Sequence, residues 1–462
     1  MSAGSRVAPV RGPGGLALSY YGDDFTGSTD VMEVLELAGF ATVLFLDAPT
    51  LEQVAAYEGI AAVGVAGISR TMSPEQMSDA LPALFRRIKA LSAPLFHYKI
   101  CSTFDSSPTI GSIGRGAEIV SEIFGASTIP LVVGVPTLGR YTAFGQLFAR
   151  ADGAIYRIDR HPTMSVHPMT PMHEADLLRH LEAQTDLPGT LVDLRATGGG
   201  DAVADAAVDA AFSSDAVVVA LDLFDDETER QVGRTLDRLV RSQADGDTVA
   251  VIGSSGVEYA LARVWSSQGG AARRDTPATI AQTVVLAGSR AAATDRQVEA
   301  ALAGGFADVP VDPVGVTDPS RADGAIAEVV ARAVAAYRRG GHVLIRTPPK
   351  LGYGDVQGTQ LAEALGRIAC ALGQEIRLMR LVVAGGDTSG LVARALGIEA
   401  LRLIQPLEPG APLCRAASSD TLFDGMEICL KAGQIGQADY FIRVARLAVP
   451  GDTNSSLKGK QK

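Results

Sequence analysis

The chain has little of what would tie it to a membrane, a nucleic acid or an oxidising compartment. Basic residues are in deficit, 41 Lys and Arg against 52 Asp and Glu, for a formal net charge of −11. Nucleic acid and anionic membranes both demand basic surface, so neither is expected as the main partner. A small anionic ligand stays compatible, because a few local cations can dominate a cleft. Cysteine is scarce as well. Cys101, Cys370, Cys414 and Cys429 form no C-x-x-C pair, which argues against a zinc site or a redox dithiol. Free buried thiols in a cytoplasmic protein are the simpler expectation. No apolar run is long enough to span a bilayer, and residues 1–13 are polar and do not read as a signal peptide. Residues 451–462 read as a disordered end. Also missing are G-x-G-x-x-G after a strand and the Walker pattern G-x-x-x-x-G-K-[ST].

What is present is ample material for a core. The 462 residues are 47% hydrophobic and 20% charged, with 50 glycines and a single Trp. That composition fits two or three globular domains. Short Val-, Ile- and Ala-rich runs alternate with longer helical patterns, the signature of parallel α/β architecture. Strands are expected at 16–21, 42–46, 61–67, 95–99, 131–135, 190–194, 216–222 and 248–252. A second set is expected at 283–287, 343–346 and 381–384. The stretch SSQGGAARRD at 266–275 reads as a linker or exposed loop. The expected organisation is an α/β fold with one domain at 14–265 and another at 280–450. Each lobe should hold a largely parallel sheet flanked by helices, with the active site in the cleft between them.

The polar groups with chemistry fall just after expected strands, where open α/β sheets hold their ligands. The first strand stops at adjacent carboxylates, Asp23 and Asp24, followed by Phe-Thr-Gly-Ser-Thr and a helical pattern. Like charges repel, so the fold gains little from such a pair, whereas proton removal gains much. Ser69-Arg70 follows the third strand. Lys99, Ser102, Thr103 and Asp105 follow the fourth, and Arg140 lies beyond the fifth. Arg70, Lys99 and Arg140 suit a carboxylate ligand. The hydroxyls and Asp105 suit sugar hydroxyls. Blander readings exist for single residues: Asp24 as a helix cap, or Lys99 and Asp105 as a surface ion pair. The His-rich loop 160–173 is broken by prolines and has no i, i+4 pair, so it reads as a contact loop rather than a zinc site.

The second domain offers glycine turns. Leu381-Val-Val-Ala runs into Gly385-Gly386-Asp387-Thr388-Ser389-Gly390 and a helix, a geometry that suits phosphate. Gly288-Ser289 ends the first strand of this domain, and Lys431-x-Gly433-x-x-Gly436 lies near its end. Three such turns, one with a lysine, favour a nucleotide.

Together these segments resemble the four-carbon acid sugar kinase family over nearly the whole chain. The carriers are Asp23-Asp24-Phe-Thr-Gly-Ser-Thr-Asp30, Ser69-Arg70, Tyr98-Lys99-Ile-Cys-Ser-Thr-Phe-Asp105-Ser, His167-Pro-Met-Thr-Pro-Met, Gly385-Gly-Asp-Thr-Ser-Gly and Lys431-x-Gly433-x-x-Gly436. Ser28 stands where the family commonly has Ala, and the segment 134–140 is close to its pattern without matching it. The resemblance implies an acid-sugar lobe, a nucleotide lobe, and ATP with Mg²⁺. It implies ATP contacts at Ser289, at Gly385, Gly386, Asp387 and Thr388, and at Gly433. The expected reaction is phosphorylation of the terminal hydroxyl of a small acid sugar, with 3-oxo-tetronate favoured and 3-oxo-isoapionate, threonate or erythronate as alternatives. Asp24 is the preferred base, ahead of Asp23 and Asp105. No metal-ligating residue is singled out, and a homo-oligomer stays open. The competing classes are a nucleotide-dependent oxidoreductase, a ribokinase-type enzyme and a non-catalytic two-lobe binder. The missing G-x-G-x-x-G, the missing Gly-Ala-Gly-Asp and the missing export signal respectively speak against them.

Overall fold

The computed structural model describes residues 6–244, 246–266, 275–348 and 356–447. The expected disordered tail and nearly all of the expected linker lie outside them. The chain divides into two compact units, Met1–Arg273 and Arg274–Lys462.

The strands of the first unit are β1 (Leu18–Gly22), β2 (Thr42–Phe45), β3 (Ala62–Ala66), β4 (Leu95–Lys99), β5 (Ile129–Val132), β6 (Arg140–Ala143), β7 (Gln146–Ala151), β8 (Ala154–Arg157), β9 (Gly189–Val192), β10 (Val218–Leu221) and β11 (Val249–Gly253). Its main sheet runs β2-β3-β1-β4-β11-β5-β10-β9, every neighbour parallel. β1 and β4 are buried along their whole length. That explains why they read as short apolar runs without alternation. Chain direction along the sheet reverses around β1, whose neighbours are β3 and β4, so ligand-binding loops are expected at its carboxyl end. An aromatic cluster fills one face: Phe96 and Phe124 stack at 4.1 Å, and Phe85 packs edge-on to Tyr21 and Tyr98.

Sequence reading missed the small antiparallel sheet β6-β7-β8. Its β7–β8 turn is Asp152-Gly153, both at positive φ (48° and 81°). An Asp-Gly pair between two short runs is a strong hairpin signal.

The second unit holds β12 (Val284–Ala287), β13 (Ala307–Pro310), β14 (Val343–Arg346), β15 (Arg380–Ala384), β16 (Ile398–Gln405), β17 (Leu413–Ser418) and β18 (Glu427–Lys431). They run β13-β14-β12-β15-β18-β17-β16, parallel as far as β18, with β17 and β16 antiparallel. The antiparallel end was not expected. Among the described residues no helix is long and apolar enough to cross a membrane.

One buried ion pair anchors this second unit. Arg380 and Glu427 are both fully buried, joined at 2.6 Å and 2.9 Å. The guanidinium also donates to the carbonyls of Val444, Leu447 and Ala278. Removing one partner strands the other charge. Arg415, 3.5 Å from the second Glu427 oxygen, softens that loss. Arg380→Met is therefore expected to cost about 3 kcal/mol, the lower end for a broken buried pair. Urea unfolding checks this, and a loss under about 1 kcal/mol would contradict it.

Candidate active site

The first-unit site grows from the carboxyl ends of β1, β3 and β4. Asp24 caps the helix Phe25–Leu37, accepting from the Gly27 N–H at 3.0 Å. The capping reading is thus correct, and it does not use up the residue. Arg70, on the turn after β3, grips Asp23 through Nε (3.0 Å) and Nη2 (2.7 Å). The same Nη2 reaches Asp24 Oδ1 at 2.8 Å. The backbone repeats the link, because the Arg70 N–H donates to the Asp23 carbonyl at 3.0 Å. Arg70 is thus committed to the two aspartates, with Nη1 on its outer edge.

The two aspartates differ. Asp23 has a side chain 6% exposed, Asp24 one 27% exposed. Burial is the largest influence on both. For Asp23 burial prevails over Arg70, and with Asp24 beside it the carboxyl sits above the usual range. For Asp24 the cations Arg70 and Lys99 and the Gly27 N–H outweigh burial, and the carboxyl sits below it. Adjacent carboxylates divide in this way when they compete for one proton. Asp24 is the ionised, solvent-facing member.

Lys99, at the end of β4, is 4% exposed. Among the described residues its ammonium has no hydrogen-bond or ion-pair partner, so the surface pair with Asp105 does not form. It lies against the Asp24 turn: a methyl placed on Gly27 would stand 2.2 Å from Nζ and 2.5 Å from Asp24 Oδ1. Only glycine leaves that space.

Downstream of β4, Thr103 Oγ1 donates to Asp105 Oδ1 at 2.6 Å, and Cys101 Sγ lies 2.9 Å from the same hydroxyl. Burial, with Asp105 beside it, pushes the Cys101 thiol up to about 11, so it stays a thiol. Between them Phe104 takes a positive φ of 57°, a conformation costing a bulky residue about 1–2 kcal/mol. Its ring is wholly buried beside His180, which holds the turn in place. Ser102 is half-buried. Ser69 is fully buried and 3.4 Å from the Tyr98 hydroxyl, behind Arg70 rather than on open surface. Arg140 starts β6. Its Nη1 donates to the Leu138 carbonyl at 2.7 Å, while its buried Nε has no partner among the described residues.

In the His-rich loop, His161 Nδ1 accepts from the Thr163 and Met164 N–H groups and His167 Nδ1 from Thr170. These histidines cap turns, and no metal-holding cluster of His, Cys, Asp or Glu occurs among the described residues.

In the second unit three turns converge. Gly385 has φ 137° and opens the helix Gly386–Ala395. Its N–H donates to the Lys431 carbonyl at 2.9 Å. Methyls on Gly385 and Gly288 would meet Thr388 Oγ1 at 2.7 Å and 2.9 Å, and one on Gly433 would meet Ser289 Oγ at 2.1 Å. Gly386 differs: a methyl there meets nothing within 4 Å. Open space thus faces the helix N-terminus, whose first N–H groups have no intrahelical acceptor. Asp387 lies in that helix, and its side chain falls outside the described residues. Lys431 departs from expectation. It is wholly buried, with Thr294 Oγ1 at 3.4 Å, and burial pushes it down to about 8. The lysine that favoured a nucleotide lies under the glycine turn and does not face the ligand space.

Carboxylates and cations at parallel strand ends in one unit, and a glycine-lined helix N-terminus in the other, define a two-domain phosphotransferase. The comparisons make the class specific. Residues 18–261 match a sugar-binding N-terminal domain and residues 284–441 a nucleotide-binding C-terminal domain. The chain is 42% identical over 459 residues to the 3-oxo-isoapionate kinase of Paraburkholderia graminis, covering 94% of this chain and 96% of that one. It is 32% identical over 447 residues to the 3-oxo-tetronate kinase of Methylobacterium radiotolerans, covering 93% and 98%. Crystal structures of proteins from Salmonella typhimurium (TM-score 0.76, 24% identity, 93% and 99% covered) and Haemophilus influenzae (TM-score 0.71, 22% identity, 93% and 100% covered) share the fold. The chain belongs to the four-carbon acid sugar kinase family, and it is an ATP-using acid sugar kinase.

Sequence reading gave no part to Asp30, His97, Ser255 or Glu258. The available signal was parity on β4, where His97 and Lys99 share a face.

Proposed function

We propose that the chain transfers the γ-phosphoryl group of ATP to the terminal hydroxyl of 3-oxo-isoapionate, with 3-oxo-tetronate as the second substrate. The motifs of the first domain favour the tetronate, and the 42% against 32% identity to the two named kinases puts the branched acid first. The observation that carries the reading is the Asp23-Asp24-Arg70-Lys99 cluster. It sets one ionised carboxylate beside a buried cation that has no hydrogen-bond or ion-pair partner among the described residues.

Lys99, the outer edge of Arg70, and Arg140 receive the substrate carboxylate. Ser102, Thr103 and Asp105 hold its hydroxyl and oxo groups. Ser69 supports Arg70 from behind, and Asp23 keeps Arg70 aimed. Asp24 orients the attacking hydroxyl. As that oxygen bonds to the γ-phosphorus, the bond to the β-phosphate oxygen breaks, ADP leaves, and the hydroxyl proton passes to Asp24. Asp105 is the next candidate for that proton. Such transfers need mainly positioning and charge neutralisation. Ser289, Gly385, Gly386, Asp387, Thr388 and Gly433 cradle the phosphates. Among the described side chains of the turn, the Thr388 hydroxyl is one that could hold Mg²⁺. When bound it neutralises phosphate charge. Dependence on ATP and the four free cysteines both suit a cytoplasmic enzyme.

A coupled ADP-release assay over 3-oxo-isoapionate, 3-oxo-tetronate, threonate and erythronate tests the choice. The highest kcat/KM is expected on 3-oxo-isoapionate. A tenfold preference for another acid would move the assignment to that acid. ATP binding without turnover on any would favour a binding protein.

A further inference from the structure

Asp30 lies six residues beyond the catalytic pair and points inward. β4 carries His97 and Lys99 on one face, and both are buried, 0% and 4% exposed. The flanking strands place glycine beside Lys99 on each side, Gly22 on β1 and Gly253 on β11. The ammonium ends against Gly27, in the first turn of the helix Phe25–Leu37. Asp30 follows Gly27 by three residues and therefore shares its helix face. Asp30 is 9% exposed, with Ser255 beside its carboxyl. Burial raises it, Ser255 and Lys99 draw it down, and Glu258 and Asp24 add to the rise. Glu258, fully buried, meets His97 Nδ1 at 2.6 Å, and the His97 Nε2–H donates to the Gly253 carbonyl at 3.0 Å. The second Glu258 oxygen is buried with no hydrogen-bond partner among the described residues. Charged groups thus continue from the site into the unit: Asp24, Lys99, Asp30, then the Glu258–His97 pair. Two buried acids that stand away from the ligand, Asp30 and Glu258, are costly for a fold to keep as packing alone.

We infer that Asp30 is a positioning residue: from the helix face that the Lys99 ammonium ends against, and without a direct ion pair, its charge steadies that ammonium at the Asp24–Gly27 turn, where the substrate carboxylate arrives. The inference rests on the reading of Lys99 as a carboxylate ligand. Asp30→Asn keeps the shape and removes the charge. The expected result is an acid-sugar KM raised about tenfold with the KM for ATP unchanged, and a smaller rise in Asp30→Glu. A merely structural role would move both constants or neither. Lys99→Met separates the two claims. If it leaves the acid-sugar KM unchanged, the reading of Lys99 falls, and this inference with it. If it raises that KM and Asp30→Asn does not, this inference alone falls. In the double variant the effects should not add, because Asp30 acts through Lys99. Full additivity would overturn the proposal.

Discussion

Asp24→Asn is expected to lower kcat by about 10²–10⁴-fold, the usual worth of a positioned base, while ATP affinity stays within about twofold. The substitution is a clean probe because the residue has two separable jobs. As an N-cap it accepts the Gly27 N–H, and Asn caps a helix as well as Asp does. As the ionised member of the carboxylate pair it receives the proton, and Asn cannot. Arg70 keeps its two-pronged grip on Asp23 in the variant, so the fold should lose less than about 1 kcal/mol. Asp23→Asn differs in kind, because it releases Arg70 and should weaken acid-sugar binding along with turnover. Steady-state kinetics with both substrates, beside a melting curve, distinguish the two. Near-normal turnover in Asp24→Asn would remove it as the base and leave Asp105 as the candidate.

Gly386→Val should weaken ATP binding by at least about tenfold, or about 1.4 kcal/mol, without unfolding the protein. A side chain there enters empty space in front of a helix N-terminus. Its φ is not positive, so the backbone tolerates any residue. The neighbouring Gly385 gives no such probe. At φ 137° and 2.7 Å from Thr388 Oγ1, a valine would distort the turn itself. Titration calorimetry with a non-hydrolysable ATP analogue reads the change. Unchanged affinity would place the nucleotide elsewhere.

The first-domain site is legible because parallel strands end at one edge, so residues far apart in sequence fall in one place. Asp23, Arg70 and Lys99 were found that way. What the sequence could not show was their division of labour. Arg70 reads as a free cation in isolation, yet most of its donors are spent on the two aspartates. Ser69 reads as a contact residue and lies fully buried. Lys431 sits in a glycine turn that suggests phosphate, but strand parity sends its side chain into the core. Asp30 resembles an ordinary helix acid until its helix face, shared with Gly27, proves to be the one that the Lys99 ammonium ends against. The β6-β7-β8 sheet was missed although Asp152-Gly153 announced it, since apolar runs there are short and half-exposed. The antiparallel end of the second sheet carries no local mark of strand direction.

The central claim is phosphoryl transfer to a terminal hydroxyl. Two-dimensional ³¹P–¹H correlation on the product of ATP and 3-oxo-isoapionate tests it directly. The account predicts one new phosphomonoester signal coupled to the protons of a terminal CH₂, formed in equal amount with ADP. ADP accompanied only by inorganic phosphate, or phosphorus coupled to no terminal CH₂, would contradict it.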